Sequence, residues 1–228
     1  MEHHELKAIN YKSCFDVIGP IMVGPSSSHT AGAIRIGALA RTLFGETPTS
    51  ISCRYYESFA QTHKGHGTDY AIISGVLGFE MDDARVPNAV NIALSQNIDI
   101  EFIEDNHPSP VNHANTADLT LRHNNKIVRL IGTSIGGGMV EVRYLQLDTF
   151  VIEPNGPIPI VVLLTKNTLL KQHLKDTFTK LKMDILDIKE TQNETHTLYV
   201  FELGQLITNH IKTELYRILE HETFYILE

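Results

Sequence analysis

Ile36, Leu39, Ala40, Leu43 and Phe44 recur at the i, i+3, i+4, i+7, i+8 spacing of one helical stripe, which predicts a helix over residues 33–44 ending near Gly45. Residues 49–56, rich in Thr, Ser, Ile and Tyr, predict a strand, with Pro48 at its start where a missing N–H donor does no harm. Residues 59–63 read as a connector. Residues 70–78 predict a second helix whose first turn Thr68 or Asp69 can cap, and residues 87–96 a short third one through Val90, Ile92, Ala93 and Leu94. From residue 98 the period becomes two. Ile98, Ile100 and Phe102 alternate with Asp99 and Glu101, and Ala117, Leu119 and Leu121 with Asp118, Thr120 and Arg122, so these are strands with one wet face. His123-Asn124-Asn125-Lys126 predicts a hairpin turn, because Asn tolerates the positive φ that a two-residue turn requires, with residues 127–131 as the returning strand and Val140, Val142 and Tyr144 continuing the sheet. Residues 106–115, with two prolines and two histidines, are too polar for a core and read as a loop.

The pattern restarts after Glu153-Pro154-Asn155-Gly156-Pro157, where two prolines and a glycine in five residues mark a boundary. Residues 158–164 form an unbroken apolar run, a buried strand. Leu170, Leu174, Phe178 and Leu181 set a helix, residues 185–190 and 196–203 pair across Gln192-Asn193-Glu194, Ile207, Ile211, Leu215 and Ile218 set another helix, and residues 224–227 close the unit. Strand, helix, strand, strand, helix, strand is the split βαβ arrangement. The expected architecture is α/β of the α+β kind, with a mixed-sheet domain over residues 1–153 and a βαββαβ domain over residues 158–228. Ahead of the first helix, residues 1–12 are polar and expected to fray, and residues 15–23 are an apolar run broken by Gly19-Pro20.

Between that run and the helix lies Gly24-Pro25-Ser26-Ser27-Ser28-His29-Thr30-Ala31-Gly32. It places three serine hydroxyls and Thr30 at a helix N-terminus, whose unpaired N–H groups and partial positive charge favour an anion. Gly24 and Pro25 shape the entry, and Gly32 and Gly37 permit close backbone approach, which together describe a carboxylate or phosphate cradle. An over-provided N-cap is the plainer reading. Three consecutive serines followed by His-Thr and a glycine-bearing helix favour the cradle.

At 228 residues with 42% hydrophobic and 20% charged content, the chain has the composition of an ordinary globular protein, and two small domains fit its length. A formal charge of −8 with no Lys/Arg block argues against a nucleic-acid partner. Cys14 and Cys53 cannot make a disulfide framework and are too few for an iron–sulfur cluster, which takes about four thiolates. Residues 1–12 lack a signal-peptide core, and no apolar run is long enough to span a bilayer, so a cytoplasmic location is the expectation.

Of the 12 histidines, His66 stands out because Gly65 and Gly67 flank it and leave its ring open to a cleft, while Thr68 and Asp69 follow at a helix start where they could orient it. With an ordinary pKa near 6.5 it suits a general base, or it is a loop histidine that caps or hydrates. His29 either hydrogen-bonds the anion or completes the cap. His29, His63 and His66 together suggest zinc, but the paired spacings of a zinc site do not recur.

Gly24-Pro25-Ser26-Ser27-Ser28-His29-Thr30, preceded by Ser13-Cys14-Phe15-Asp16-Val17-Ile18-Gly19-Pro20 and followed by Lys64-Gly65-His66-Gly67-Thr68-Asp69 and Ser134-Ile135-Gly136-Gly137-Gly138, resembles the beta subunit of bacterial iron–sulfur-dependent L-serine dehydratase in four motifs in order. The resemblance covers residues 10–150 closely. It implies a lyase of amino-acid catabolism and gluconeogenesis that converts L-serine to pyruvate and ammonia, with a [4Fe–4S] cluster held by cysteines of a separate alpha subunit. That cluster would act as Lewis acid on the Cβ hydroxyl, His66 as base at Cα, and Ser26, Ser27, Ser28, His29 and Thr30 as the carboxylate cradle, with Lys64 and Asp69 beside them and Gly136, Gly137 and Gly138 as a cleft wall. Asn112-His113-Ala114-Asn115-Thr116 resembles the family's His-Pro-Asn-Thr motif with Ala114 for the proline. Residues 158–228 look like an ACT regulatory domain, which implies possible ACT-mediated dimerisation, although Thr165-Lys166-Asn167-Thr168 stands where such domains carry Pro-Gly at the effector turn. The N-terminal pattern also resembles the allosteric substrate-binding domain of some phosphoglycerate dehydrogenases, which implies instead a non-catalytic sensor of serine or small anions. Lys64-Gly65-His66-Gly67-Thr68-Asp69, which a pure binding module does not need, favours the enzyme subunit.

Overall fold

The structure, a computed structural model, describes residues 20–228, so the frayed start expected for residues 1–12, the match at residues 13–19 and Cys14 lie outside the described residues. The fold is α+β with two sheets. A π-helical turn, Ser27–Ala31, runs directly into α1 (Gly32–Phe44), which Gly45 ends in the left-handed conformation at φ 77°. There follow β1 (Ser50–Tyr56), α2 (Glu57–Thr62), α3 (Thr68–Val76), a 3₁₀ turn (Val86–Asn88), α4 (Ala89–Ser95), β2 (Asp99–Asp105), β3 (Thr116–His123), β4 (Lys126–Gly136), β5 (Met139–Leu147) and β6 (Phe150–Ile152). The first sheet has the order β2-β1-β3-β4-β5-β6, with β1 and β2 parallel and the other pairs antiparallel.

The two-residue period explains the layering. Ile51, Cys53 and Tyr55 of β1 and Leu119 and Leu121 of β3 turn to one face, where they share a core with Ile36, Leu39, Leu43 and Phe44 of α1. Their polar neighbours, Ser52, Arg54, Asp118, Thr120, Arg122 and Arg129, line a cavity of about 300 Å³ on the opposite face, where the Arg129 guanidinium binds both Asp118 oxygens at 2.8 and 2.7 Å.

Two expectations are corrected here. The connector expected at 59–63 is the short helix α2, which buries one apolar side chain, Phe59, too few to show a helical period. The second helix begins at Thr68, and neither Thr68 nor Asp69 caps it: Gly67, at φ 68°, occupies the N-cap in the left-handed region instead of the extended one that aims a side chain at the first turn.

Helices α1 and α3 cross almost backbone to backbone. A Cβ on Gly75 would stand 2.0 Å from the Ile34 carbonyl oxygen, and one on Gly37 2.2 Å from that of Ile72. Gly75→Ala must therefore push apart the helix that carries the serine turn and its neighbour. Equilibrium denaturant unfolding is expected to show a loss of about 1–3 kcal/mol, the usual cost of overpacking; an unchanged midpoint would mean that the helices have slack.

Beyond residues 153–157 come β7 (Ile160–Thr165), α5 (Leu169–Lys180), β8 (Ile185–Gln192), β9 (Thr197–Leu203), α6 (Asn209–Ile218) and β10 (Thr223–Leu227). Their sheet is antiparallel in the order β10-β7-β9-β8. The apolar run at 160–164 does not alternate because both faces are covered. Val161, Leu163, Tyr199 and Phe201 pack with Leu174 and Phe178 of α5 and Leu215 of α6, whereas Ile160, Val162, Leu198, Val200 and Leu227 join the core of the first sheet. The connecting residues are pinned at both ends: Val142 N–H donates to Gly156 O at 2.7 Å, and Asn155 N–H to the buried Glu202 carboxylate at 2.9 Å. Among the described residues no helix is long and apolar enough to cross a membrane.

Candidate active site

The helix that the periodicity sets out brings the serines to its first turn. Ser26 is extended and caps it, its hydroxyl accepting from the His29 N–H at 3.1 Å. Ser27 is exposed, and its carbonyl accepts both Gly32 N–H and, at 3.2 Å, Gly138 N–H from the glycine stretch more than a hundred residues away. Ser28 Oγ lies 2.9 Å from His29 Nδ1, and Ser58 Oγ, on α2, 3.2 Å from His29 Nε2, so the His29 ring is held at both nitrogens by hydroxyls. His29 is buried, and desolvation first, then the neighbouring His66 charge, push its pKa below the ordinary 6.5. It is neutral at neutral pH. Thr30, expected as a further donor to the anion, is fully buried, and its O–H is spent on the His66 carbonyl at 3.1 Å.

That last bond joins two motifs. His66 sits on the turn between α2 and α3, exposed, with its ring edge-on to His29 at a centroid distance of 4.7 Å. Its N–H donates to Thr62 O at 2.9 Å. The partners expected to orient it do not: Asp69 Oδ1 lies 2.6 Å from His63 Nδ1 instead, and the buried Thr68 hydroxyl has no partner among the described residues. Lys64, expected beside the substrate, is 77% exposed and donates to Glu104 Oε1 at 2.8 Å. The same oxygen is 2.8 Å from His63 Nε2. Glu104 is held down at about 2 by Lys64 first and His63 second.

Gly136, Gly137 and Gly138, at φ 99°, 62° and 78°, form the tight turn from β4 to β5. A Cβ on Gly138 would come within 3.1 Å of Pro20 and 3.5 Å of Ala31, so only glycine lets this turn lie against the start of the helix. On the same strand Ser134 N–H donates to Asn115 O at 3.0 Å, and Asn115 Nδ2 to Ser134 O at 3.4 Å. The Asn115 N–H donates to His113 Nδ1 at 3.1 Å, which leaves the His113 proton on Nε2. Burial is the main cause that lowers the His113 pKa. Segments 26–30, 63–69, 113–115 and 134–138 thus meet around one helix N-terminus.

The serine dehydratase beta chain family model matches residues 13–143, more than half of the sequence and all of these segments. The chain belongs to that family. It is 39% identical over 214 residues, 92% of this chain and 95% of the other, to the probable L-serine dehydratase, beta chain, of Bacillus subtilis. It is 37% identical over 152 residues, 66% of this chain and 67% of the other, to the L-serine dehydratase, beta chain, of Peptoniphilus asaccharolyticus. The match to L-serine dehydratase 2 of Escherichia coli, 31% identical over 167 residues, spans 62% of this chain but 36% of that longer protein.

As a serine dehydratase beta chain it does not fit an iron–sulfur cluster of its own. Cys53 is buried in the core on β1, and desolvation drives its thiol pKa far upward, the reverse of what a thiolate ligand needs. Among the described residues no group of three or more His, Cys, Asp or Glu side chains is placed to hold a metal ion. The zinc idea fails for a specific reason: both His63 nitrogens face carboxylates and both His29 nitrogens face hydroxyls, leaving no lone pairs directed at a common point. Ser58 and Glu104 escaped the sequence reading, Ser58 because it fell between the strand expected at 49–56 and the connector expected at 59–63, and Glu104 because it follows the alternating strand as one more polar position.

Proposed function

We propose that this serine dehydratase beta chain is one half of a two-subunit L-serine ammonia-lyase, which removes water from L-serine and releases pyruvate and ammonia after hydrolysis of the resulting enamine. The observation that carries the reading is the bond from Thr30 to the His66 carbonyl, with the two imidazoles edge to face: it sets an accessible base beside an anion-binding helix start. In this reading Ser27, Ser28 and the first helical N–H groups hold the substrate carboxylate, neutral His29 keeps Ser28 aimed, His66 takes the Cα proton, and Gly136–Gly138 wall the cleft. The [4Fe–4S] cluster belongs to a cysteine-bearing alpha subunit. The longer E. coli relative supports such a partner, since the match spans only 36% of it and leaves room there for a second unit.

For residues 158–228 we propose the ferredoxin-like ACT type, supported by a strand order in which the fourth, first, third and second strands lie side by side. The turn at Thr165-Lys166-Asn167-Thr168 is closed by its own side chains, with Asn167 N–H on Thr165 Oγ1 at 2.9 Å and Leu169 N–H on Asn167 Oδ1 at 3.1 Å, which disfavours an effector site there. One sheet face is spent on the first core, so pairing between such domains would use an edge such as β8, where Leu186 is exposed.

Ser27→Ala and Ser28→Ala test the cradle. Contacts to a carboxylate exist in ground and transition states alike, so both variants are expected to raise KM for serine with kcat nearly kept. Each lost charge-assisted bond is worth about 1.5–3 kcal/mol. Unchanged KM in both variants would reduce the serine turn to a helix cap.

A further inference from the structure

The turn that presents His66 is fastened at its other end by a second histidine for which the dehydration chemistry has no use. His63 is 3% exposed, and its ring lies 4.9 Å from that of Tyr55. Its Nδ1 is 2.6 Å from Asp69 Oδ1 and its Nε2 2.8 Å from Glu104 Oε1. A neutral imidazole has one N–H donor and one lone pair. A lone pair aimed at an ionised carboxylate over so short a distance is repulsive, so both contacts bind only when both nitrogens carry protons. The three groups sit on three elements: His63 closes α2, Asp69 lies in the first turn of α3, and Glu104 is the last residue but one of β2. Backbone bonds complete the fastening, from His63 N–H to Phe59 O and from Thr68 N–H to His63 O, each 2.9 Å.

We propose that His63 is a positioning residue for the lyase reaction, a doubly protonated ring clamped between Asp69 and Glu104 that fixes the turn from residue 63 to 67 so that the His66 ring faces the serine loop. The role rests on the assignment of His66 as base. It differs from ordinary packing because it depends on two donors and two charges rather than on the volume of the ring. Lys64 shares Glu104 with the clamp, and its contact keeps that carboxylate charged at the protein surface.

Two measurements test it. Imidazole ¹H–¹⁵N correlation spectra of the full chain near neutral pH are expected to show protons on both His63 nitrogens. In the enzyme reconstituted with the alpha subunit, His63→Phe, which keeps a ring against Tyr55 but removes both donors, is expected to lower kcat about ten- to a hundredfold with KM nearly unchanged, the scale of loss when a catalytic group is displaced by about 1 Å. Glu104→Gln keeps an acceptor but removes the charge at an exposed position, so it folds even if His63→Phe does not, and about a tenfold fall in kcat is expected. A His63 with a single protonated nitrogen in the wild type overturns the proposal. So does wild-type kcat in Glu104→Gln beside an impaired His66→Asn, which leaves the base assignment standing. Wild-type kcat in His66→Asn overturns that assignment, and this role with it.

Discussion

His66→Asn is expected to lower kcat of the reconstituted enzyme about 10²–10⁴-fold, the usual worth of a positioned general base, while KM for serine stays within about twofold. The split follows from what the ring does. On the proposed assignment the base acts on the Cα proton in the transition state, whereas the serine turn holds the carboxylate already in the ground state. His66 is exposed, its backbone is tied at both N–H and C=O, and its ring rests on His29, so Asn in its place leaves the turn intact. Because burial and the His66 charge depress the pKa of His29, that ring is neutral at neutral pH and adds no charge beside His66. Serine deuterated at Cα sharpens the test: where other steps share in limiting the wild-type rate, proton removal slowed by loss of the base is expected to increase the isotope effect on kcat. A wild-type kcat with an unchanged isotope effect would move the base to His29 or to the alpha subunit. His63 is a poor substitute, since both its nitrogens face carboxylates, whereas those of His29 face only hydroxyls.

Serine turnover by the isolated chain is expected to be undetectable, and the purified protein colourless even after incubation with iron and sulfide under anaerobic conditions. The cause is a shortage of ligands. The sequence has two cysteines against the roughly four thiolates of a [4Fe–4S] cluster. One of the two, Cys53, lies in the core among Ile51, Leu119 and Tyr55, where ionising its thiol is strongly opposed. Brown colour and activity should appear together when the alpha subunit is added without oxygen, and should be lost together in air. Visible absorption and pyruvate formation, followed in parallel, check this; turnover by the beta chain alone would sink it.

Much of the fold was readable in the linear pattern because it depends on near neighbours. The stripe from Ile36 to Phe44, the alternation around Leu119, and the Asn124-Asn125 turn are each decided within about ten residues, and each matches an element of the structure. Helix α2 was not readable, since six residues with one buried side chain carry no period. The reading of an anion cradle at the start of α1 likewise rested on local signals, serines placed where helical N–H groups lack acceptors.

Which side chains remain available for chemistry was a different question, and only the tertiary structure decided it. Thr30 and Ser28 look alike in sequence, yet Thr30 is spent on a carbonyl 36 residues away while Ser28 stays at the rim beside His29. His63 and His66 stand three apart in one glycine-bearing turn, and nothing in that stretch says which ring turns inward. Glu104 on β2 and Asp69 on α3 draw in His63, and the exposed turn leaves His66 out. A residue type states what bonds a side chain can make. Partners brought close by the packing of distant elements determine which of those bonds are already taken.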